Sequence, residues 1–267
     1  MIEVIPMGGL GNRLRVIASA ISLSQATHEP LIIHWRKNAE LNCSYDELFN
    51  WNGAYHVQEN LTLANRLLNL TKRVISLRKK VFVSNNEIYT NRNSGWSKER
   101  FDDFFFRAAQ KNNLVIETDW CFYSYKSSHF PQPTQEILSE INTVTSKYRS
   151  PIYGVHIRRT DHDLSIRESP TELFIETMER EIAQNPLTQF FVATDNAVIM
   201  QDIKTKFREA VISYSNEKSR ETSLGIKEAL IDMFCLAATK KIYGSYWSSF
   251  SEIASEIGAV PLVIVKK

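Results

Sequence analysis

Two adjacent arginines follow an apolar run in the segment GVHIRRTDHD, residues 154–163. A buried guanidinium is costly unless an anion or a carboxylate pairs with it, and its fork of donors suits bidentate contact with phosphate. Ligands of a parallel α/β sheet bind beyond the carboxyl ends of its strands. Arg158 and Arg159 are therefore candidate phosphate ligands. The alternative is a structural network with Asp161 and Asp163, and strand alternation allows one arginine to be structural.

The same segment also contains a possible metal motif. Asp161 and Asp163 have the D-x-D spacing that can hold Mg²⁺ or Mn²⁺ on a diphosphate. The neighbouring arginines already supply the positive charge that a diphosphate needs. We therefore expect no metal at this site.

Three further polar groups lie at predicted strand ends or in a helix. In ATDN, Asp195 is a candidate ligand residue, and the alternative is that Asp195 or Asn196 caps the following helix. Asp232 lies in an apolar helix, where a carboxylate must be paired, face a ligand or point outwards. Ser248 and Ser249 begin the last helix, where hydroxyls and free amides can bind phosphate or simply cap the helix.

The glycine-rich segment MGGLGNRLR, residues 7–15, connects the first predicted strand to a helix. A dinucleotide fingerprint requires a further glycine where Leu14 stands, and no GK[ST] follows, so a phosphate-binding P-loop is excluded. The segment is either a tight turn or a bare backbone surface for a charged ligand. The candidate contact residues are Gly9, Gly11 and Asn12.

Short apolar strands alternate with helical patterns along the chain, which predicts an α/β fold with buried parallel sheets. We predict two Rossmann-like domains that face one another, residues 1–150 and 151–267, with the boundary near Ser150. Ser169 is expected to cap a helix that has Pro170 in its first turn. The predicted strands are IEVIP, PLIIHW, LVIETDWCF, IYGVHIR, QFFVATD, AVISYS, KIYGS and PLVIV. Residues from about 37 to 106 form a polar, aromatic-rich region without a clear pattern.

The composition is that of an ordinary globular protein, with 43% hydrophobic and 23% charged residues in 267. A net charge of +2 argues against a general nucleic-acid binder. Three widely spaced cysteines give neither a zinc pattern nor a disulfide framework, which favours a reducing compartment. No targeting or membrane-spanning segment is apparent, so we expect a cytoplasmic protein.

Four segments, in this order and spacing, resemble the GT-B fucosyltransferase superfamily, which includes α-1,6-, α-1,2- and protein O-fucosyltransferases. The segments are GGLGNRL with its helix and PLIIHW, then GVHIRRTD, FFVATDN, and IDMFCLAATKKIYGSYWSSFSEIASEI. HIRRTD with ATD downstream is most similar to the α-1,6 branch, which includes bacterial chitooligosaccharide fucosyltransferases, and GGLGN to the α-1,2 branch. The last segment differs from the α-1,6 pattern at Phe250, where a glutamine is usual.

The resemblance implies a role for each matching residue. Arg158 corresponds to the essential arginine on the diphosphate, with Arg159 as its partner, and His156 to the residue whose backbone meets the guanine. Asp232 corresponds to the carboxylate that accepts from guanine. Asp195 corresponds to a residue near the nucleoside, and Ser248 and Ser249 correspond to the hydroxyl and amide segment that binds the diphosphate. Gly9, Gly11 and Asn12 match the loop of the first domain that faces the sugar.

The activity that the resemblance implies is inverting, metal-independent transfer of fucose from GDP-fucose to a glycan hydroxyl. In this interpretation the protein needs no cofactor. Residues 1–150 form the acceptor side. The general base is Asp163 or Glu168. The alternatives are a transferase for another nucleotide sugar, a hydrolase with paired carboxylates, and a nucleotide-binding protein without activity. The basic segment 65–82 is either a solvated helix face or a contact with an anionic membrane that carries a lipid-linked acceptor.

Overall fold

The structure, a computed structural model, describes residues 1–51, 53–59, 79–149, 151–159, 163–214 and 221–267. The chain forms two compact units, Met1–Gln132 and Pro133–Lys267. Each unit contains a five-stranded sheet in which every strand pair is parallel. The predicted α/β fold with two Rossmann-like parallel sheets is confirmed.

The sheet of the first unit has the strand order β3-β2-β1-β5-β4. Its central strand β1 is buried at all five positions, as expected for a strand covered on both faces. The strands are β1 (Ile2–Pro6), β2 (Leu31–Trp35), β3 (His56–Glu59), β4 (Lys80–Ser84) and β5 (Asn113–Thr118). The helices described in this unit are α1 (Leu10–Thr27), α2 (Asn85–Asn93) and α3 (Lys98–Lys111), and a 3₁₀ turn spans Ser127–His129.

The sheet of the second unit has the strand order β10-β9-β6-β7-β8. The strands are β6 (Ile152–Ile157), β7 (Gln189–Thr194), β8 (Val211–Ile212), β9 (Ile242–Ser245) and β10 (Leu262–Val265). The helices described here are α4 (Gln135–Thr145), α5 (Asp163–Glu168), α6 (Thr171–Gln184), α7 (Ala197–Phe207), α8 (Ser223–Ala237) and α9 (Ser249–Gly258). Phe174 and Met178 of α6 and Met200 and Ile203 of α7 pack on apolar residues of β6, β7, β9 and β10.

Helix α4 lies on the C-terminal side of the division between the units. It packs against α8, and its buried residues are Ile137, Ile141 and Val144. The hydroxyl of Tyr148 donates to the carbonyl of Cys235, 3.0 Å away, at the same interface. The division of the contacts at 132/133 therefore places this helix in the second unit, whereas the sequence-based ranges 1–150 and 151–267 place it in the first.

The elements that the sequence patterns missed are mostly half-exposed. Strands β3 and β4 are the two edge strands of the first sheet, and each has at most one buried residue. Their neighbours α2 and α3 lie in the polar, aromatic-rich region. In the described ranges no helix is long and apolar enough to cross a membrane. Most of the basic segment 65–82, up to residue 78, lies outside the described residues.

Candidate functional site

The carboxyl ends of three neighbouring strands bring four of the sequence-predicted residues, Arg158, Arg159, Asp195 and Ser248, to one edge of the sheet of the second unit. Strands β9, β6 and β7 are adjacent and parallel, with His156 beside Gly244 and Ile157 beside Thr194. Arg158 and Arg159 follow β6, and Asp195 follows β7. The loop that leads to Ser248 and helix α9 follows β9. Ligands of parallel sheets bind at this edge.

Hydrogen bonds to the main chain fix both arginines at the edge. The amide of Arg158 donates to Oγ of Ser245 at 3.0 Å, and this buried hydroxyl donates to the carbonyl of His156 at 3.2 Å. The amide of Arg159 donates to Oδ1 of Asp195 at 2.7 Å. Ser245 therefore positions the first arginine, and Asp195 positions the second. The helix cap of α7 is Asn196, whose side chain accepts from the amide of Ile199 at 3.0 Å.

The guanidinium of Arg159 donates hydrogen bonds to groups of the protein itself. Its Nη1 donates to the carbonyl of Arg158 at 2.6 Å, and its Nη2 donates to the carbonyl of Ser169 at 2.7 Å. Its Nε donates to the hydroxyl of Thr171 at 3.1 Å. Burial lowers the pKa of Arg159 from its usual value, and Asp195 and Glu172 oppose that shift. Within the described residues the guanidinium of Arg159 thus donates to neutral acceptors, and Asp161, one of the two predicted structural partners, lies outside those residues.

The guanidinium of Arg158 points to a different neighbour. Its Nη1 donates to the carbonyl of Trp247 at 3.3 Å, in an exposed position on the loop between β9 and α9. Trp247 has a φ of +54° and a 56% exposed side chain. A positive φ is costly in a bulky residue. The carbonyl of this residue thus accepts from Arg158, the arginine to which the resemblance assigns the diphosphate contact.

Ser248 occupies the N-cap of α9 without capping it. Its side chain makes no cap hydrogen bond, and only 2% of the residue is exposed. Its buried Oγ has no hydrogen-bond partner in the described structure. An unsatisfied buried hydroxyl costs about 1–3 kcal/mol. The free amides of the first turn lie at the same helix end, so an anion bound there would accept from both.

The ring of His156 is packed against Phe250, the residue that departs from the α-1,6 pattern. The two ring centroids are 4.7 Å apart and the planes differ by 22°. His156 is 8% exposed and belongs to strand β6. Its imidazole is thus buried in a stacked contact with Phe250. The contact between the backbone of His156 and guanine stays a prediction.

Ser169 joins Arg159 to the loop before α9. Its Oγ donates to the carbonyl of Val265 and accepts from the amide of Tyr246 at 2.8 Å. The predicted capping role is wrong, because helix α6 begins at Thr171 with Pro170 as its N-cap. The hydroxyl instead forms hydrogen bonds with β10 and with the loop that leads to α9.

Asp232 is buried in α8, with 1% of its surface exposed, so the outward-facing alternative is wrong. The helix packs on strands β6 and β7. Two tyrosines have raised pKa values near it. Burial is the main cause for both, and the charge of Asp232 adds to it for Tyr148 and Tyr214. A second carboxylate, Glu140, accepts from the hydroxyl of Tyr214 at 3.3 Å.

The two candidate bases are on the short helix α5. Asp163 is exposed in its first turn. Glu168 accepts from Nε of its neighbour Arg167 at 3.1 Å, and its carbonyl accepts from the amide of Lys267 at 3.0 Å. Thr160, Asp161 and His162 lie outside the described residues. Both base assignments stay predictions.

In the first unit, a buried arginine that the sequence analysis did not single out holds the glycine-rich loop. Arg13 is fully buried, and its Nε donates to the carbonyl of Gly8 at 2.8 Å. Its Nη1 donates to the carbonyl of Arg36 at 2.6 Å, and its Nη2 to Oδ1 of Asn38 at 2.9 Å. Burial lowers the pKa of Arg13 to about 10, and Glu40 opposes the shift.

The turn itself requires one glycine. Gly8 has a φ of +76°, and a Cβ there would lie 2.8 Å from Nδ2 of Asn12. Gly9 is the N-cap of α1, and Gly11 is buried in the first turn. The tight-turn interpretation of this segment is therefore correct. The ligand contact of Gly9, Gly11 and Asn12 stays a prediction.

No three His, Cys, Asp or Glu side chains in the described ranges group closely enough to hold a metal ion. Two residues of the DHD motif, Asp161 and His162, lie outside those ranges.

Comparison with known proteins shows the fold. No protein-family model matches the chain, and no curated protein matches it. Among solved structures, NodZ α-1,6-fucosyltransferase soaked with GDP-fucose is similar over 98% of this chain and 94% of its own, with 20% identity and a TM-score of 0.63. NodZ from Bradyrhizobium is similar at the same identity, with a TM-score of 0.61 over 98% of this chain and 95% of its own.

A plant enzyme has the same architecture. A variant of Arabidopsis thaliana FUT1 in complex with GDP is 15% identical over 98% of this chain and 69% of its own, with a TM-score of 0.64. The chain has the GT-B fucosyltransferase fold. At these identities the similarity shows the fold of the chain and does not show its activity.

Proposed function

We propose that the protein is an inverting glycosyltransferase that transfers fucose from GDP-fucose to a hydroxyl group of a glycan without a metal ion. One observation carries the proposal. The buried hydroxyl of Ser248 lacks a partner in the described structure at the N-terminus of α9, and Arg158 donates to the carbonyl of Trp247 immediately before it. A diphosphate at this helix end would accept from the hydroxyl and the amides, and the guanidinium of Arg158 would add a charged donor. The GT-B fucosyltransferase fold and the GDP-fucose bound by NodZ support this donor.

The roles of the two arginines differ in this proposal. Arg158 contacts the diphosphate, because its guanidinium lies at the exposed loop before α9. Arg159 is a positioning residue, because its donors bind the carbonyls of Arg158 and Ser169. Asp232 accepts from the guanine ring, and the backbone of His156 lies beside the nucleoside. Ser249, in the first turn of α9, contributes an amide to the phosphate.

The proposed reaction exchanges one bond at the sugar. The oxygen of the acceptor hydroxyl bonds to C1 of fucose while the bond from C1 to the diphosphate oxygen breaks, and the electron pair of that bond stays on GDP. Arg158 and the amides of α9 stabilise the growing negative charge more in the transition state than in the ground state. The hydroxyl proton passes to a carboxylate, for which Asp163 and Glu168 are the candidates. Because the chain supplies these cations and amides, we propose that no metal takes part.

The compartment is also a proposal. Cys43, Cys121 and Cys235 form no disulfide bond in the described structure. Cysteines outside disulfide bonds are typical of a reducing environment, which supports a cytoplasmic location.

The proposal is tested by incubating the protein with GDP-fucose and following the release of GDP and of sugar. The comparison donors are GDP-mannose, UDP-glucose and dTDP-rhamnose, each with and without EDTA. Of the four donors, we expect turnover of GDP-fucose only, at a rate that EDTA does not change. The first-formed sugar product should have the anomeric configuration opposite to that of the donor. Turnover of another donor would indicate a transferase for that nucleotide sugar. Binding of GDP without turnover, with a glycan mixture present, would indicate a nucleotide-binding protein.

A further inference from the structure

Two cavities lie on either side of a single tryptophan in the first unit. One, of about 300 Å³, lies between the start of α3 and residues 121–124. The other, of about 350 Å³, lies along α3. Trp96 lines both cavities, and we call the pair the Trp96 groove. Cavities of this size are in the range of small-molecule sites.

The tryptophan is held firmly in place. Gly95, with a φ of +80°, ends the turn after α2, and the amide of Trp96 donates to the carbonyl of Asn91 at 3.2 Å. The indole ring packs at centroid distances of 5.3 Å from Phe101 and 5.6 Å from Phe104. A rigid aromatic ring loses little conformational entropy when it binds a ligand, so this one is suited to recognition.

The groove has more cations than carboxylates. Its lining includes five cationic side chains and two carboxylates, and the cations are Arg92, Lys98, Arg100, Arg107 and Lys111. Asp102 accepts from the amide and the hydroxyl of Ser124, and Asp103 is paired with Arg107 at 2.7 Å. Because the two carboxylates offset two of the five cations, the lining carries a formal net charge of +3. The electrostatic potential of the groove favours an anion.

We infer that the Trp96 groove binds an anionic sugar of the acceptor glycan, one that carries a carboxylate or a phosphate. The guanidinium carbon of Arg100 lies 4.3 Å from the centroid of the Trp96 ring, so the C–H face of a sugar ring would pack on the opposite face of that ring. Its anionic group would pair with Lys98 and Arg92, which line the same cavity. This inference rests on the proposed function, because that function requires a glycan site besides the donor site of the second unit.

The test measures binding of defined oligosaccharides to the whole protein by titration calorimetry, without donor. Tetragalacturonate is the acidic probe, and its methyl ester is a neutral ligand with the same skeleton. Glucose 6-phosphate and inorganic phosphate complete the set. We expect the acid to bind about tenfold or more tightly than the ester. Binding of glucose 6-phosphate in place of the acid would identify phosphate as the anionic group.

Two variants locate the site. Trp96→Ala and Lys98→Gln should each raise the dissociation constant of the acidic sugar about tenfold and leave GDP binding unchanged. Phe82→Ala and Lys37→Gln are matched controls on exposed residues of the same unit, and they should leave both affinities unchanged. Lys98 is itself exposed, so its variant should fold normally.

Three results would overturn the inference. They are equal binding of acid and ester, absence of binding for both anionic sugars, and binding of inorganic phosphate as tight as that of glucose 6-phosphate. If GDP binds in those experiments, the acceptor subsite alone is wrong. If GDP also fails to bind, the proposed function is wrong as well.

Discussion

Arg158 and Arg159 are adjacent in sequence, yet their guanidinium groups have separate surroundings. Arg158 reaches the exposed loop before α9, and Arg159 is bound to Thr171 and to two carbonyls. In the proposed function the first contacts the diphosphate, and the second holds the end of the strand through its hydrogen bonds to the carbonyls of Arg158 and Ser169. The adjacent positions therefore allow a test in which function and stability separate.

Arg158→Lys should lower turnover of GDP-fucose by about 10²–10³ with little change in the free energy of unfolding, because lysine cannot form the bidentate contact. Arg159→Lys should lower the free energy of unfolding by about 2 kcal/mol, because it loses buried hydrogen bonds. Steady-state kinetics and denaturant unfolding measure the two effects. The opposite pattern, with Arg159→Lys fully stable and inactive, would exchange the two roles.

Ser248→Ala tests the hydroxyl without a described partner. Removing a buried, unsatisfied hydroxyl should leave the free protein as stable or up to about 1 kcal/mol more stable. The affinity for GDP should fall about tenfold, because the diphosphate loses a donor. Ser251→Ala is the control, since the Oγ of Ser251 donates to the carbonyl of Ser248 within the helix. An unchanged GDP affinity in Ser248→Ala would remove this residue from the site.

At the scale of elements, the α4–α8 interface combines carboxylates and tyrosines. The pKa of Tyr214 is raised to about 12, mainly by burial and then by Glu140. The folded state therefore keeps this proton longer than the unfolded state, whose tyrosine has a pKa of about 10. The stability that this group contributes is complete below pH 10 and is lost as the pH rises towards 12.

This linkage predicts the pH dependence of two variants. In Tyr214→Phe the free energy of unfolding should fall less steeply between pH 10 and 12 than in the unaltered protein. Glu140→Gln should narrow the pH range over which this stability is lost, because it removes a charge that raises the pKa of Tyr214. Denaturant unfolding at intervals of pH measures both slopes. Identical slopes in all three proteins would mean that Tyr214 titrates alike in the folded and unfolded states.

At the scale of the whole molecule, the contacts divide the chain after Gln132, which predicts where a stable C-terminal fragment begins. Helix α4 buries three apolar residues and packs on α8, which also carries Asp232. Burying an aliphatic side chain contributes about 1.5–3 kcal/mol. A fragment that begins at Pro133 should unfold cooperatively, and one that begins at Pro151 should be several kcal/mol less stable. Thermal unfolding of the two fragments tests this. Equal stability would place the domain boundary near residue 150 instead.

The sequence predicted the second unit well and the first unit only in part. Buried parallel strands such as Ile152–Ile157 and Gln189–Thr194 are continuous apolar runs, and amphipathic helices separate them. The edge strand His56–Glu59 is polar and half-exposed, and Asn85–Asn93 has a single buried residue, so neither has a recognisable period. The missed elements are those that packing forms with few buried side chains.

The residues of the candidate site could likewise be predicted from the sequence only in part. Arg158, Asp195 and Ser248 could be predicted because they follow strands that end at a common edge. The hydroxyl of Ser169 and the amide of Tyr246 are 77 residues apart in sequence, and no local pattern predicts their hydrogen bond. Arg13 was missed for the same reason, because Arg36 and Asn38 lie 23 and 25 residues away. Long-range contacts that position a site require the fold.

The most direct test of the account is thermal unfolding with GDP, UDP, ADP and dTDP, each with and without EDTA. A ligand at about a hundred times its dissociation constant adds about 2.7 kcal/mol to the free energy of unfolding. We expect that GDP alone stabilises the protein, that EDTA does not change the effect, and that Asp232→Asn greatly reduces it. Stabilisation by another nucleotide in place of GDP, or stabilisation that requires a metal ion, would contradict it.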